Sequence, residues 1–194
     1  MATPNYTITT LELSYPYNNI DPRDKLTELP EDIYKYTNLI SLDCRNNNIT
    51  QCDNLPTNLK ELNCSKNQLT HCNYLPLGLE ILECNLNNIT QLDYLPPNLR
   101  ELYCSCNKIS QLNNLPPHLK ILYCSNNKIT HFDNLPQSLE SLVCNYNLIT
   151  QLDNLPLSIK GLLCDGNPLK YDFVPSFQNI LHYIRVNRKM IERS

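Results

Sequence analysis

The cysteines and histidines are the residues whose chemistry could define a site in this chain. The sequence of 194 residues holds ten cysteines and four histidines, which could form disulfides, bind a metal or act as nucleophiles. A zinc site needs four converging ligands, commonly in close pairs, and the nearest pair is Cys104 with Cys106. No arrangement of Ser, His and Asp indicates a catalytic triad, and the three glycines form no phosphate loop. We therefore expect no enzyme, no metal site and no cofactor.

A period of twenty residues dominates the sequence, and the phrase LEILECNLNNITQLDYLPPN at 79–98 shows it best. Cysteine and asparagine each recur at this step seven times in succession. The two ladders are Cys44, Cys64, Cys84, Cys104, Cys124, Cys144 and Cys164, and Asn47, Asn67, Asn87, Asn107, Asn127, Asn147 and Asn167. A fixed period of this length is typical of a solenoid, in which each coil buries its apolar face by stacking on its neighbours.

The cysteines are interpreted as small core residues, because free cysteine is among the most buried residue types. Cys52 and Cys72 occupy the slot that Leu92 fills in a later coil, so they belong to the core as well. Only Cys106 lies outside both ladders. Repeat positions of this kind are not pairs, and we expect all ten thiols to be free.

The asparagine ladder is assigned a structural role. It follows the predicted strands at the point where the backbone turns inward, which leaves buried amide and carbonyl groups without partners. An asparagine side chain offers one acceptor and two donors, enough to bond its own loop and the next coil. We favour this role over ligand binding, since buried polar groups are normally satisfied within the fold.

The spacing inside a coil predicts a strand followed by an extended return. Leu42 and Cys44 are two residues apart, so a strand places both on the core side and Asp43 on the opposite face. The Leu-Pro step of each coil disfavours helix, and twenty residues leave no room for a long one. The first coil is longer, and its extra residues near 31–36 could hold one helical turn.

Both ends of the stack are predicted to be closed. Residues 6–15 alternate like a strand around Leu11 and Leu13, a degenerate match to the regular coils. After Pro168, apolar residues at helical spacing predict a capping helix with Ser176 as its N-cap. We therefore expect a degenerate coil, a loop and the start of the first regular repeat at 1–38, seven repeats at 39–169 and a helical cap at 170–194.

The end of the predicted helix is basic, with Arg185, Arg188, Lys189 and Arg193. Binding of nucleic acid or of a membrane is one interpretation of this cluster. Cations are favourable near the C-terminus of any helix, and charge runs are usually solvated. We therefore favour the interpretation that these residues are solvated charges at a helix end.

Written out, the repeat is L-x-x-L-x-C-x-x-N-x-I/L-T-x-L-D-x-L-P, and it closely resembles the leucine-rich repeat, with Cys at the third leucine of the strand motif. The Leu-Pro pair resembles that of the short, twenty-residue class of leucine-rich repeat, which is known from bacterial effector proteins. Similar repeats occur in large DNA viruses of amoebae. The resemblance covers Leu26 to Leu169. It implies an α/β solenoid that is mainly β: a right-handed coil with parallel strands on the concave face, an extended or 3-10 convex side and a C-terminal capping helix.

The composition restricts the partner and the compartment. Lys and Arg number 16 and Asp and Glu 19, and the net charge of −3 gives no electrostatic footprint for nucleic acid. No apolar run is long enough to span a bilayer. The start, MATPNYTITT, lacks the pattern of a secretory signal. We therefore expect a monomer that binds protein rather than nucleic acid or membrane, in the cytoplasm or, for a viral or bacterial effector, in the host cytoplasm.

A partner-binding patch is predicted on the concave face, where the strand residues that alternate with the core point outward. The slot of Asp43 is polar in the first coils and apolar later, which β-propensity or packing between neighbouring strands could also explain. We favour a binding patch because Tyr is enriched at interface hot spots and contiguous exposed apolar area usually means contact. The patch consists of Ile81, Tyr103, Ile121, Tyr123, Val143 and Leu163.

Two functions fit this patch. The first is a non-enzymatic scaffold for protein–protein interaction, as the resemblance to the leucine-rich repeat implies. The alternative is an adaptor or inhibitory subunit that acts on an enzyme complex, for example as a host-targeting viral or bacterial factor.

Overall fold

The computed structural model describes residues 5–16, 21 and 24–191, with side chains to residue 186. Its main element is one parallel sheet of eight strands that lie side by side in chain order. The strands are β1 Thr10–Glu12, β2 Ser41–Asp43, β3 Glu61–Asn63, β4 Ile81–Glu83, β5 Glu101–Tyr103, β6 Ile121–Tyr123, β7 Ser141–Val143 and β8 Gly161–Leu163. A 3-10 helix, Ile33–Lys35, precedes β2, and helix α1, Phe177–Ile191, follows β8. The solenoid is mainly β, as the period predicts.

The strands are aligned so that the same core position of every coil lies side by side. Leu11 pairs with Leu42, Leu42 with Leu62, and the register continues to Leu162. The cysteine two residues after each leucine also faces inward, and this ladder is inaccessible from Cys44 to Cys144. Burying one leucine side chain contributes about 2 kcal/mol relative to exposing it, so the stacked leucines account for much of the cohesion between coils.

The returning segments are extended and contain one turn each. In six coils the N–H of the third residue after the Leu-Pro step donates back to the proline carbonyl, as Leu79 does to Pro76 at 3.0 Å. Among the described residues, 3-10 conformation occurs only before β2, at Asp24 and at Ile33–Lys35, where it buries Ile33. The convex side is therefore extended in the regular coils, and the turn at Ile33–Lys35 lies where the extra residues predict it.

The N-terminal end of the stack is covered by β1 and by aromatic packing. Leu11 and Leu13 are partly buried against the core, because no coil precedes them. Tyr6 and Tyr36 meet edge to face with ring centroids 5.0 Å apart. Residues 17–20 and 22–23 of the predicted loop lie outside the described residues.

Helix α1 closes the other end, as its apolar spacing predicts. Ser176 caps it, accepting a hydrogen bond from the N–H of Asn179 at 3.2 Å. The helix packs against β8 and buries Ile180, Leu181 and Ile184. Of the basic residues at its end, Arg185 is exposed, while the side chains of Arg188, Lys189 and Arg193 lie outside the described part. No helix among the described residues is long and apolar enough to cross a membrane.

A left-handed backbone residue follows each regular strand. Asn46, Lys66, Leu86 and Tyr146 all have φ between 54° and 62°, a region that costs energy for side chains other than Gly, Asn and Asp. The N–H of this residue donates to a carbonyl of the next coil, as Leu86 does to Ser105 at 2.9 Å. The bond between coils therefore holds leucine and tyrosine in a conformation that they do not favour.

The asparagine ladder lies just inside these turns and joins each coil to the one before it. The side-chain amide of Asn87 donates to the carbonyls of Cys64, Cys84 and Asn85 at 3.0–3.2 Å. Its carbonyl oxygen accepts the N–H of Leu69 at 3.0 Å. The same pattern recurs from Asn47 to Asn167. The predicted structural role is what the bonds describe, although the neighbouring coil that is bonded is the preceding one and not the next.

Removing one of these asparagines should destabilise the solenoid. We expect Asn87→Ala to lower the free energy of unfolding by about 2 kcal/mol or more, because the buried N–H of Leu69 loses its acceptor. Denaturant unfolding measures this difference. The control is Asn98→Ala in the same coil, where the exposed side chain makes one bond, to the carbonyl of Leu77. Equal effects of the two changes would contradict the structural role of the ladder.

Candidate functional site

Four of the six predicted patch residues form an unbroken row on the concave strand face, which we define as the outward side chains of β1–β8. Tyr103 pairs with Tyr123, Tyr123 with Val143, and Val143 with Leu163. The first three are half-buried and Leu163 is 53% exposed. The row therefore presents apolar surface to solvent over four neighbouring strands.

The other two patch residues lie in the parallel row, and only one of them adjoins the first row. Ile121 is on the same strand and face as Tyr123. Ile81 is separated from Ile121 by Glu101, which pairs with both. The structure thus brings five of the six predicted residues together and places Ile81 beyond a carboxylate.

The two tyrosines of the patch are held in fixed positions. Their ring centroids are 5.1 Å apart at an interplanar angle of 79°, the edge-to-face geometry that aromatic pairs prefer. The hydroxyl of Tyr103 donates to Glu101 Oε2 at 2.7 Å. Burial, followed by this hydrogen bond, raises the pKa of Tyr103, so the phenol stays protonated at neutral pH. These rings are anchors whose conformational entropy is already reduced before any partner binds.

The other half of the strand face is acidic. Its carboxylates are Glu12, Asp43, Glu61, Glu83 and Glu101, one on each of β1–β5. Burial raises the pKa of Glu83, and the charges of Asp43, Glu101 and Glu61 raise it further. Burial also raises the pKa of Asp43, with Glu12 adding to the effect. These shifts mean that the ionised forms of Asp43 and Glu83 are less stable in the folded protein than in water.

Few donors relieve this crowding. Arg45 Nε lies 3.1 Å from Asp43 Oδ2, and the amide of Asn63 donates to Glu83 Oε2 at 3.1 Å. Four further cations lie one residue before a strand and are paired with glutamates of the same border: Lys60 and Arg100 with Glu80, and Lys120 and Lys160 with Glu140. The border therefore satisfies its own charges, while the strand face keeps a surplus of negative charge.

Eight of the ten cysteines are buried in the core. Cys52 lies within hydrogen-bonding reach of Cys44 and Cys64, and Cys72 of Cys64 and Cys84, so five thiols form a zigzag through the first coils. Burial raises the pKa of the Cys104 thiol to about 12. All ten cysteines are free, and only Cys106 and Cys164 are partly exposed.

The histidines do not converge with the cysteines. The Nδ1 atoms of His71 and His131 lie 3.0 and 2.8 Å from the hydroxyls of Thr70 and Thr130, their neighbours in sequence. In the part of the chain that the structure describes, no three His, Cys, Asp or Glu side chains are grouped as metal ligands would be.

A second exposed apolar cluster was missed at the level of sequence. Tyr74, Leu77 and Tyr94 lie in the returning segments of two neighbouring coils and are 74–82% exposed. The slot of the two tyrosines holds asparagine in the other regular coils, so the change of residue type was a visible signal. Tyr74 has a φ of 59°, in the left-handed region that asparagine tolerates better than tyrosine.

Comparison with known proteins identifies the architecture. The solved leucine-rich repeat domain of a Shigella effector is similar over 93% of this chain and 76% of its own, with a TM-score of 0.71 and 25% identity. YopM, a leucine-rich effector protein from Yersinia pestis, is similar over 82% of this chain and 49% of its own, with a TM-score of 0.64 and 28% identity. The solenoid of this chain fits the short-repeat class of leucine-rich repeat proteins. In sequence, it matches no protein-family model and no curated protein.

The cysteine core also has a counterpart among leucine-rich repeat structures. The functional domain of InlJ from Listeria monocytogenes, described as including a cysteine ladder, is similar over 87% of this chain and 49% of its own, with a TM-score of 0.50 and 27% identity. The chain spans about half the length of the YopM and InlJ chains that it matches.

The reactivity of the thiols should follow their burial. We expect Cys106 to react first with a thiol reagent in the native protein, and the partly exposed Cys164 to follow more slowly because burial raises the pKa of its thiol. The eight buried thiols should react only as the chain opens, because the reagent cannot reach them in the folded state. Thiol titration in native and denaturing buffer without reductant measures this. Cys106→Ser should remove the fast phase, and all ten thiols of the wild type should react once unfolded. Fewer than ten would contradict the reading of the cysteines as unpaired.

The acidic row should make stability fall as pH rises. Because the folded-state pKa of Glu83 is raised, the folded state holds a proton that the unfolded state has already lost. Stability therefore decreases from about pH 4, the usual carboxyl range, up through the folded-state pKa. We expect Glu83→Gln to stabilise the protein at neutral pH and to change little at acidic pH, as measured by denaturant unfolding.

The matched control is Glu140, whose pKa is shifted in the opposite direction. The hydrogen bond from Lys160 and its charge lower the pKa of Glu140, so its contribution is present at neutral pH and is lost as pH falls through the lowered folded-state pKa. Glu140→Gln should therefore not stabilise the protein at neutral pH. If Glu83→Gln and Glu140→Gln changed stability in the same direction at neutral pH, the crowding of the strand-face carboxylates would be refuted.

Proposed function

We propose that the chain is a non-enzymatic scaffold that captures a protein partner on the concave strand face. The observation that carries this proposal is the row Tyr103, Tyr123, Val143 and Leu163, which four neighbouring strands present to solvent. The alternation of the strands already supplies the core from the opposite face, so cohesion between coils does not need apolar residues here. Contiguous exposed apolar area of this kind commonly marks a contact surface.

The chemistry of the row supports capture of a protein. Tyrosine supplies large contact area with few rotatable bonds, and it is enriched among the residues that dominate interface energetics. The contact between the Tyr103 and Tyr123 rings and the bond from Tyr103 to Glu101 restrict both side chains in the free protein. Binding therefore requires little further ordering, which favours affinity.

The similar structures support the same class of function. The Shigella and Yersinia proteins are described as effectors, and leucine-rich repeat domains characteristically serve as interaction surfaces. The non-enzymatic part of the proposal rests on this likeness and on the sequence, which has no pattern of nucleophile and base and no phosphate loop.

We infer a reducing compartment, the cytoplasm or a host cytoplasm. The ten cysteines support this inference because they are spaced as core positions and are unpaired, as is usual for proteins kept reduced. An adaptor or inhibitory subunit of an enzyme complex is the narrower form of the same proposal, in which the captured partner is an enzyme.

The test is partner capture by surface variants. We expect Tyr103→Ser combined with Tyr123→Ser to weaken capture by about tenfold or more, because each ring is placed as a hot spot. The measurement is affinity purification from the native host, with the captured protein identified by mass spectrometry and its affinity then determined with purified material. Thermal unfolding of each variant checks that the fold is retained.

The matched control is Tyr94→Ser. Tyr94 is 77% exposed in a returning segment. Its substitution therefore changes the same residue type at a position away from the strand face. Capture that survives the double change, and also survives Val143→Ser with Leu163→Ser, would refute the concave strand face as the binding site. Turnover of a substrate by the purified chain, abolished by one substitution, would refute the non-enzymatic part.

A further inference from the structure

The charges on the strands are segregated along the solenoid. The residues of β1–β5 include five carboxylates, and those of β6–β8 include no charged side chain. No strand residue of β1–β8 is Lys or Arg, although the whole chain has 16 such residues against 19 Asp and Glu. The cations are therefore placed elsewhere, and the strand face is acidic at one end and apolar at the other.

The two ends overlap on β5 and are continuous. Tyr103 begins the apolar row, and Glu101 lies on the same face of the same strand. Across the sheet, Glu83 pairs with Tyr103, and Ile81 with Glu101. A partner that covers the apolar row consequently comes within reach of the last carboxylates of the acidic row.

Few cations compensate this row of carboxylates in the free protein. Every charge that acts on Glu83 from its neighbours is negative except that of Arg45, and Arg45 is already paired with Asp43. The hydroxyl of Tyr103 is directed to Glu101, and the cations at the border are paired with Glu80 and Glu140. Side chains that cost stability in the free state are typical of surfaces shaped by binding.

We propose that the partner is a polypeptide with a Lys- and Arg-rich segment that lies over β1–β5, next to an apolar segment that covers the row from Tyr103 to Leu163. This inference rests on the proposed function, since it names the chemistry of the partner at the same face. Cationic side chains neutralise the crowded carboxylates, which complements the face electrostatically and steers association. A nucleic acid would bring phosphates against the same carboxylates and be repelled.

The dimensions of the face set the size of the segment that it holds. Strands of a sheet are spaced about 4.8 Å apart, so eight strands span roughly 34 Å. An extended polypeptide covers about 3.3 Å per residue, so a segment of about ten to twelve residues reaches from the acidic end to the apolar end.

The experiment uses a random library of displayed peptides, each of about twelve residues to match this span. The library is selected on the immobilised wild-type chain and on a variant with Glu61→Gln, Glu83→Gln and Glu101→Gln. These changes keep side-chain size and hydrogen-bonding capacity and remove crowded charge, so we expect the variant to fold and to be at least as stable. The charge-matched control carries Glu28→Gln, Asp93→Asn and Asp133→Asn, which are exposed and lie outside the strands.

We expect the wild type and the control to select peptides in which Lys and Arg, enriched about twofold or more over the library, adjoin aromatic or aliphatic residues. The glutamine variant should keep the apolar preference and lose the cationic one. The chain with Tyr103→Ser and Tyr123→Ser should select no common sequence. High salt should weaken the binding of the selected peptides to the wild type more than to the glutamine variant.

The two proposals fail in different ways. Selected peptides that depend on the two tyrosines but lack Lys and Arg, or that bind the glutamine variant equally well, would overturn the cationic partner and leave the scaffold function in place. Peptides that bind regardless of the tyrosines, or no selection at all, would overturn both. A labelled oligouridine that binds the wild type and is released by Tyr103→Ser with Tyr123→Ser would assign the face to nucleic acid and overturn the inference.

Discussion

The structure depends on one repeated set of hydrogen bonds, in which an asparagine amide closes the turn after each strand and bonds to the coil before it. Asn87 illustrates it: one side chain satisfies three carbonyls and one buried N–H. Two of these carbonyls belong to the same coil as Asn87, whereas the third carbonyl and the N–H belong to the preceding coil. The apolar core makes stacking favourable. The asparagines remove the cost of burying unpaired backbone groups at the seam, by which we mean the turns that follow the strands and join neighbouring coils.

This seam also fixes the position of the strand face. Because the turn is held at every coil, the strands keep one register from Leu11 to Leu162, and residues at one slot form a straight row. A few substitutions in such a row then change the character of the surface over several coils without disturbing the core. Solenoids use this separation of core and face to vary the ligand on a constant frame.

The strand face shows the effect of that freedom. Its acidic end carries carboxylates that crowd one another, and its apolar end carries tyrosines fixed by ring packing and by Glu101. Neither feature is needed to stack the coils, because the core lies on the opposite face of the strands. Both are explained together if the face is shaped for a partner that supplies positive charge and apolar contact. The core residues then serve the stability of the stack, and the face residues serve binding.

The sequence by itself determined the coil, because a twenty-residue period with Leu42, Cys44 and Asn47 leaves one way to bury the apolar residues and pair the backbone. It also determined the caps, since Ser176 and the helical spacing after it are local signals. Only the tertiary structure decided which coil each asparagine bonds, and that Leu86 and Tyr146 adopt left-handed turns. These facts depend on contacts between residues about twenty positions apart, which no local preference encodes.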